Sequence, residues 1–202
     1  MSRTLYYTQR SPYARKVRIV LAEKQLPCQL QETDIKNKSL EFLNLSPIGK
    51  VPVLVDENGL VLWDSTLIVE YLDETYPEPA FYPNARLEKI RCRQGEELAD
   101  ALTDMIVGLW YEVRKGDGAN LVAQTQYQSA IDRVLGVFEQ KRKESLYLLN
   151  DTLTAVDIAA LSGIGYYSLR FGKDWQQQYP KIAQWFNQLH RRESVQSTIP
   201  RE

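Results

Sequence analysis

The stretch PIGKVPVLVDENGLVLWDSTLIVEYLD, residues 47–73, sets a proline at a strand start, an Asn-Gly turn and an Asp-Ser helix cap within one short run. Pro52 has no N–H and cannot sit inside a central strand, so it opens a strand, lies on an edge or follows a special peptide bond. Asn58-Gly59 between two apolar runs predicts a hairpin. Ser65 then stands as an N-cap before Leu67, Ile68, Tyr71 and Leu72, whose spacing predicts a helix to about Tyr76. The N-terminus of such a helix offers free amides to a carboxylate.

Upstream, residues 4–8 read as a strand, and Ser11-Pro12 opens a helix that carries Ala14, Val17 and Leu21 on one face and ends at Leu26-Pro27. Residues 29–35 are expected as a second strand and residues 40–45 as a short helix, its exit set by Ser46-Pro47 and Gly49. The order strand, helix, strand, helix, hairpin, helix predicts a small α/β domain with a mixed sheet over residues 1–78. Pro77, Pro79 and Pro83 punctuate a linker, and residues 84–202 read as an all-helical domain. Long helices are expected over 87–114 and 126–144, joined through 115–120. Thr154 and Asp157 open another helix with capping-box spacing. Pro180 begins a final amphipathic helix in which Ile182, Trp185, Phe186 and Leu189 share a face.

A chain of 202 residues can bury a real core without metals or disulfides as staples. With 25 basic and 26 acidic side chains it carries a net charge of −1, which gives no electrostatic footprint for nucleic acid or an anionic membrane. Lys141-Arg142-Lys143 and Arg191-Arg192 read as solvated helix faces. No apolar run approaches the roughly 18 residues of a membrane span, and the start shows no signal-peptide core, so a cytoplasmic location is expected. Cys28 and Cys92 fit no metal-ligand or Cys-x-x-Cys pattern and are expected as free thiols. The single histidine, His190, has no nucleophile elbow to serve. The glycines of 115–120 do not form a phosphate-cradling loop.

With these motifs in order, the chain resembles a cytosolic glutathione transferase along nearly its whole length. Within that family it is similar to the serine-type theta, zeta and tau classes and to small bacterial members. The resemblance implies a thioredoxin-like N-terminal domain followed by a helical domain. Pro52 matches the family's cis-proline, so Val51 would offer its backbone amide and carbonyl to the cysteinyl part of glutathione. Asp64 and Ser65 match the acidic-Ser pair that holds the γ-glutamyl group, and Lys38 and Lys50 would meet the glycine carboxylate. Thr154 and Asp157 fall where the family carries a folding-related capping box.

Ser11-Pro12-Tyr13-Ala14 is similar to the glutaredoxin Cys-Pro-Tyr-Cys motif with both thiols replaced. Disulfide exchange needs an attacking thiolate and a resolving thiol, so reductase chemistry is not expected. Ser11 aligns instead with the catalytic serine of the serine-type classes. Ser11-Pro12 is equally the pattern of an ordinary N-cap, and Tyr6 and Tyr7 compete for the catalytic role. Tyr13, Trp110, Tyr111 and Arg114 are expected at the electrophile pocket, although a Trp-Tyr pair at helical spacing also reads as core. The resemblance implies glutathione as cosubstrate, no bound cofactor or metal, a hydrophobic electrophilic small molecule as second substrate, and a homodimer. Two other functions share these residues: a transferase-like protein-interaction module with little or no catalysis, and glutathione-dependent isomerase, dehalogenase or peroxidase chemistry.

Overall fold

The computed structural model describes residues 2–142 and 145–201. Contacts divide the chain into two units, one running to Ala80 and taking in the residues from Glu193 onward, the other spanning Phe81–Arg192. The first unit contains β1 (Thr4–Tyr7), α1 (Pro12–Glu23), β2 (Gln29–Glu32), α2 (Leu40–Leu45), β3 (Val53–Val55), β4 (Val61–Trp63) and α3 (Ser65–Thr75). The sheet order is β2-β1-β3-β4, with β1 and β2 parallel and the other pairs antiparallel. A parallel pair needs a crossover, and α1 supplies it. Leu5, Val53 and Leu54 from the sheet, Val17 and Val20 from α1, and Ile68, Val69 and Leu72 from α3 are all fully buried.

Two buried cations of this unit, Lys24 and Arg3, are paired with carboxylates. Lys24 Nζ donates to Asp73 Oδ1 at 2.8 Å and to the carbonyls of Tyr76 and Pro79 at 2.6 and 2.7 Å. Arg3 Nε donates to Asp56 Oδ1 at 2.7 Å, and the Tyr71 hydroxyl donates to Asp56 Oδ2. Strand β2 stops short of the expected residue 35 because Asp34 Oδ1 accepts the N–H groups of Lys36 and Asn37, folding the chain into an Asx-turn. The hairpin turns where expected. The Gly59 N–H donates to the Asp56 carbonyl, and Gly59 stands at φ 83°, a conformation that favours glycine.

The second unit contains α4 (Arg86–Val113), a 3₁₀ turn (Gly116–Gly118), α5 (Leu121–Lys141), α6 (Ala155–Phe171), α7 (Trp175–Gln178) and α8 (Pro180–Leu189). Helix α6 is buried from Ala155 to Tyr166 and packs chiefly on α4. At Gly163 the approach is close enough that a Cβ would stand 2.3 Å from Thr103 Oγ1. Helix α5 begins at Leu121, earlier than the expected residue 126, because Asn120 Oδ1 accepts the Ala123 N–H at 3.1 Å. The expected end of that helix at residue 144, and Lys143 of the basic cluster, lie outside the described residues.

The last stretch does not stay with the helical unit. α9 (Glu193–Gln196) packs on α1, and Arg15 and Arg18 donate to the carbonyls of Val195 and Ser197 at 3.3 Å each, so residues from 193 belong by contact to the first unit rather than to a domain running to 202. Burial, and secondarily the neighbouring Arg18, pulls the Arg15 guanidinium down to about 9. Among the described residues no helix is long and apolar enough to cross a membrane.

Candidate functional site

Sheet register brings three chain segments to one end of the first unit. Tyr6 pairs with Val53, and Val53 pairs with Trp63, so the exit of β1, the Val51-Pro52 step and the exit of β4 lie side by side. From there the chain enters α1 at Ser11 and α3 at Asp64-Ser65. Lys16 Nζ, almost fully buried, donates to Thr66 Oγ1 at 2.9 Å and ties the second turn of α1 to the first turn of α3.

Ser11 is the N-cap of α1, and its Oγ accepts the Ala14 N–H at 3.2 Å. That bond uses a lone pair and leaves the O–H to donate. Among the described residues the hydroxyl donates to no protein group, so capping and donation to a ligand are compatible. Tyr6 packs on Phe42 with ring centroids 6.1 Å apart. Tyr7 is buried beneath the Arg18 guanidinium at 4.8 Å, and its hydroxyl accepts from Gln9 Nε2 at 3.0 Å.

The Val51–Pro52 bond is cis. Among the described residues neither the N–H nor the carbonyl of Val51 takes a protein hydrogen bond, which leaves a backbone donor and acceptor together beside the helix ends. The preceding loop is held by Ser46, whose hydroxyl donates to the Lys50 carbonyl at 2.9 Å and accepts the Lys50 N–H at 3.2 Å. Gly49 has φ 62°, and Lys38 Nζ lies 3.0 Å from where its Cβ would be. That contact sets Lys38 against the residue before Lys50, and both lysine side chains are exposed.

The cap of α3 is Asp64 rather than Ser65. Asp64 Oδ1 accepts the N–H groups of Thr66 and Leu67 at 3.0 Å each. Ser65 is the first helical residue, buried, and among the described residues its N–H and hydroxyl have no protein partner. Asp64 sits at φ 80° and ψ 124°, a conformation that costs a non-glycine residue on the order of 1–3 kcal/mol and clusters at ligand sites.

Of the residues expected at an electrophile pocket, Tyr13 is half-buried in the first turn of α1. The other three stand in the second unit. Trp110 meets Phe171 edge-on at 6.0 Å and lies under Arg170 at 4.5 Å, with the Arg114 guanidinium 5.9 Å away. Tyr111 is exposed. Neither cysteine replaces the thiols missing from the α1 motif. Burial pushes Cys28 up to about 11 and, with Glu96 second, Cys92 up to about 12. Sequence reading missed Ser46 and Lys16 as positioning residues: Ser46-Pro47 read only as a helix exit, and nothing local in the sequence marks Lys16 as reaching Thr66, 50 positions on. Among the described residues no group of His, Cys, Asp and Glu side chains is placed to hold a metal ion.

A four-stranded α/β unit with a cis-proline beside the N-termini of two helices, followed by a helical unit, defines a thioredoxin-like domain joined to an all-α domain. The profile of the glutathione S-transferase N-terminal domain matches residues 5–80, and that of the C-terminal domain matches residues 100–197. The chain therefore belongs to the glutathione S-transferase family. It is 31% identical over 192 residues to the GST-like protein YibF of Escherichia coli K12, covering 94% of this chain and 95% of that one. It is 33% identical over 156 residues to a stringent starvation protein A homolog of Coxiella burnetii, covering 76% and 70%. A crystal structure of a glutathione S-transferase from Methylobacillus flagellatus KT with glutathione bound superposes with a TM-score of 0.94 at 34% identity, covering 99% of this chain and 100% of that one.

Proposed function

We propose that this protein binds reduced glutathione at the shared end of the sheet and, through Ser11, activates its thiol for attack on a soft hydrophobic electrophile. The observation that carries the reading is the open backbone pair at Val51 beside the open N–H and hydroxyl of Ser65. An extended peptide pairs with such a donor and acceptor as a strand would, and its carboxylate is drawn to a helix N-terminus. In this reading Val51 aligns the cysteinyl residue, Ser65 and the second carboxylate oxygen of Asp64 hold the γ-glutamyl end, and Lys38 with Lys50 meets the glycine carboxylate. The thiol gives its proton to solvent, and the thiolate held by the Ser11 O–H forms the new S–C bond as the electrophile's leaving group departs with its bonding pair or, at an activated alkene, as the displaced C=C pair takes a proton from solvent; the nucleophile belongs to the cosubstrate. A site left open for a peptide supports catalysis over a purely structural interaction module.

Calorimetric titration with glutathione tests the anchor. Ser65→Ala is expected to weaken binding about tenfold or more, since charge-assisted hydrogen bonds are worth roughly 1.5–3 kcal/mol each. Asp64→Ala should do the same and also lower stability by about 0.5–2 kcal/mol, because its carboxylate caps α3. Unchanged affinity in both folded variants would remove the proposed anchor.

We also propose a cytoplasmic homodimer. Cys28 and Cys92 are free, as suits a reducing compartment. Trp63 and Leu67 in the first unit, and Leu87 and Ile90 one helical turn apart in the second, are exposed apolar side chains. Closed twofold assembly is the commonest way to cover such groups. Sedimentation should give the dimer mass at micromolar concentration; a monomer throughout that range would contradict it.

A further inference from the structure

A cavity of about 280 Å³ opens in the second unit between α5, the end of α6, α7 and the start of α8, and it is unrelated to the residues assigned to glutathione. Its walls combine Tyr167, Phe171, Trp175 and Tyr179 with the carboxylates of Asp132 and Asp174 and the amides of Gln128 and Gln178. Among the described residues no Lys, Arg or His lines it.

The polar tips of the aromatic residues are engaged by the protein. Trp175 Nε1 donates to Ser168 Oγ at 2.9 Å, the Tyr179 hydroxyl donates to Asp132 Oδ1 at 3.3 Å, and Gln128 Nε2 donates to the Tyr167 hydroxyl at 3.2 Å. Gln128 Nε2 also donates to Asp132 Oδ1 at 3.0 Å. Asp132 therefore holds neutral donors on one oxygen, while among the described residues its Oδ2 accepts no hydrogen bond and its charge meets no cation. Asp174 is exposed, and among the described residues its carboxylate takes no protein hydrogen bond. Burial first and Asp132 second push Tyr179 up to about 12, so the phenol stays a neutral donor.

We propose that this cavity binds a small organic ammonium ion. An uncompensated carboxylate supplies the countercharge, and aromatic rings hold an alkylated cation through dispersion and cation–π attraction. An anion would face two carboxylates, and a purely apolar ligand would leave Asp132 desolvated without a partner. The volume suits a ligand of choline size rather than a drug-sized molecule. The inference rests on the second unit alone and stands or falls independently of the glutathione reading.

Choline and its uncharged carbon isostere, dimethylbutanol, are the probes, titrated into the whole protein by calorimetry and by NMR of the indole N–H resonances. Choline should bind saturably at millimolar concentration or below, shift the Trp175 resonance, and bind about tenfold or more tightly than the isostere. Asp132→Asn, which keeps the acceptor oxygen and removes the charge, should bring choline down to the level of the isostere. Asp174→Asn on the exposed rim should weaken choline about two- to threefold, mostly at low salt. Equal binding of the two probes to the unaltered protein, or no choline binding, would overturn the proposal whether or not Asp132→Asn folds. So would unchanged choline affinity in folded Asp132→Asn.

Discussion

Ser11→Ala is expected to raise the pKa of protein-bound glutathione by about one to two units and to lower turnover at neutral pH roughly three- to thirtyfold, with a smaller change in affinity. A free thiol titrates near about 8.5, and holding it at roughly 6.5 requires about 2.7 kcal/mol of preference for the thiolate. The N-terminus of α1 supplies typically about 0.3–1 kcal/mol and at best about 2. A charge-assisted bond from the Ser11 O–H, about 1.5–3 kcal/mol, closes the difference. The hydroxyl is free to make it because the cap engages its lone pair and not its proton.

The pH dependence has a definite sign. A group that favours the thiolate depresses the bound pKa, so the fold advantage of the parent over Ser11→Ala is full below the parent's bound pKa and shrinks as pH rises through the two pKa values. It disappears above about pH 9, where the thiol is ionised in both. Thiolate absorbance against pH, with turnover measured in parallel, reads both quantities. Tyr6→Phe and Tyr7→Phe serve as the competing variants. The Tyr7 ring is covered by Arg18 and its hydroxyl meets Gln9, and Tyr6 packs on Phe42, so both should retain activity. An unchanged bound pKa in Ser11→Ala, with loss in either tyrosine variant, would move the role to that tyrosine.

Legibility of this chain follows from how local each instruction is. Ser11-Pro12 and the Asn-Gly hairpin are encoded within a few residues, and the structure carries both. Asp64 and Ser65 are both good caps by residue type. The choice between them is made by the backbone: Asp64 takes φ 80°, turns its carboxylate onto the Thr66 and Leu67 amides and leaves Ser65 open. Helix α5 hid its first turn because Leu121 and Val122 are exposed apolar residues that break the amphipathic pattern, so only the Asn120 cap marks the start. The placement of residues from 193 onward is not legible at all from periodicity. Val195 is buried against the first unit through a bond from Arg15, 180 positions earlier in the chain. The cavity behind the ammonium proposal is of the same kind, since its walls come from separate segments whose polar and aromatic residues read individually as surface or core.

Asp157→Ala should cost about 3–5 kcal/mol of stability. Asp157 is fully buried, and both of its oxygens are occupied. Oδ1 accepts the Leu148 N–H at 2.8 Å and Trp185 Nε1 at 3.0 Å; Oδ2 accepts the Thr154 N–H at 3.0 Å and its hydroxyl at 2.9 Å. Burial pushes this carboxyl upward while those four bonds pull it down, so the group tolerates its position only with the donors in place. One side chain thus starts α6, fixes the preceding loop at Leu148 and holds Trp185 of α8. Removing it strands two backbone N–H groups and an indole N–H, each worth about 1–3 kcal/mol when buried without an acceptor. The Thr154 hydroxyl can rotate to another partner. Asp157→Asn should recover little, because its amide nitrogen would face a donor on whichever side it occupied. Thr154→Val keeps the Thr154 N–H bond and loses only the hydroxyl, so it should cost about 1 kcal/mol. Denaturant midpoints should fall in the order parent, Thr154→Val, then Asp157→Asn and Asp157→Ala together. For a chain of this size the alanine variant should melt roughly 10 °C below the parent. Glutathione affinity measured on the folded variants should not change, because the network lies wholly within the helical unit. A midpoint for Asp157→Ala no lower than that of Thr154→Val would show that the carboxylate does not organise the start of α6.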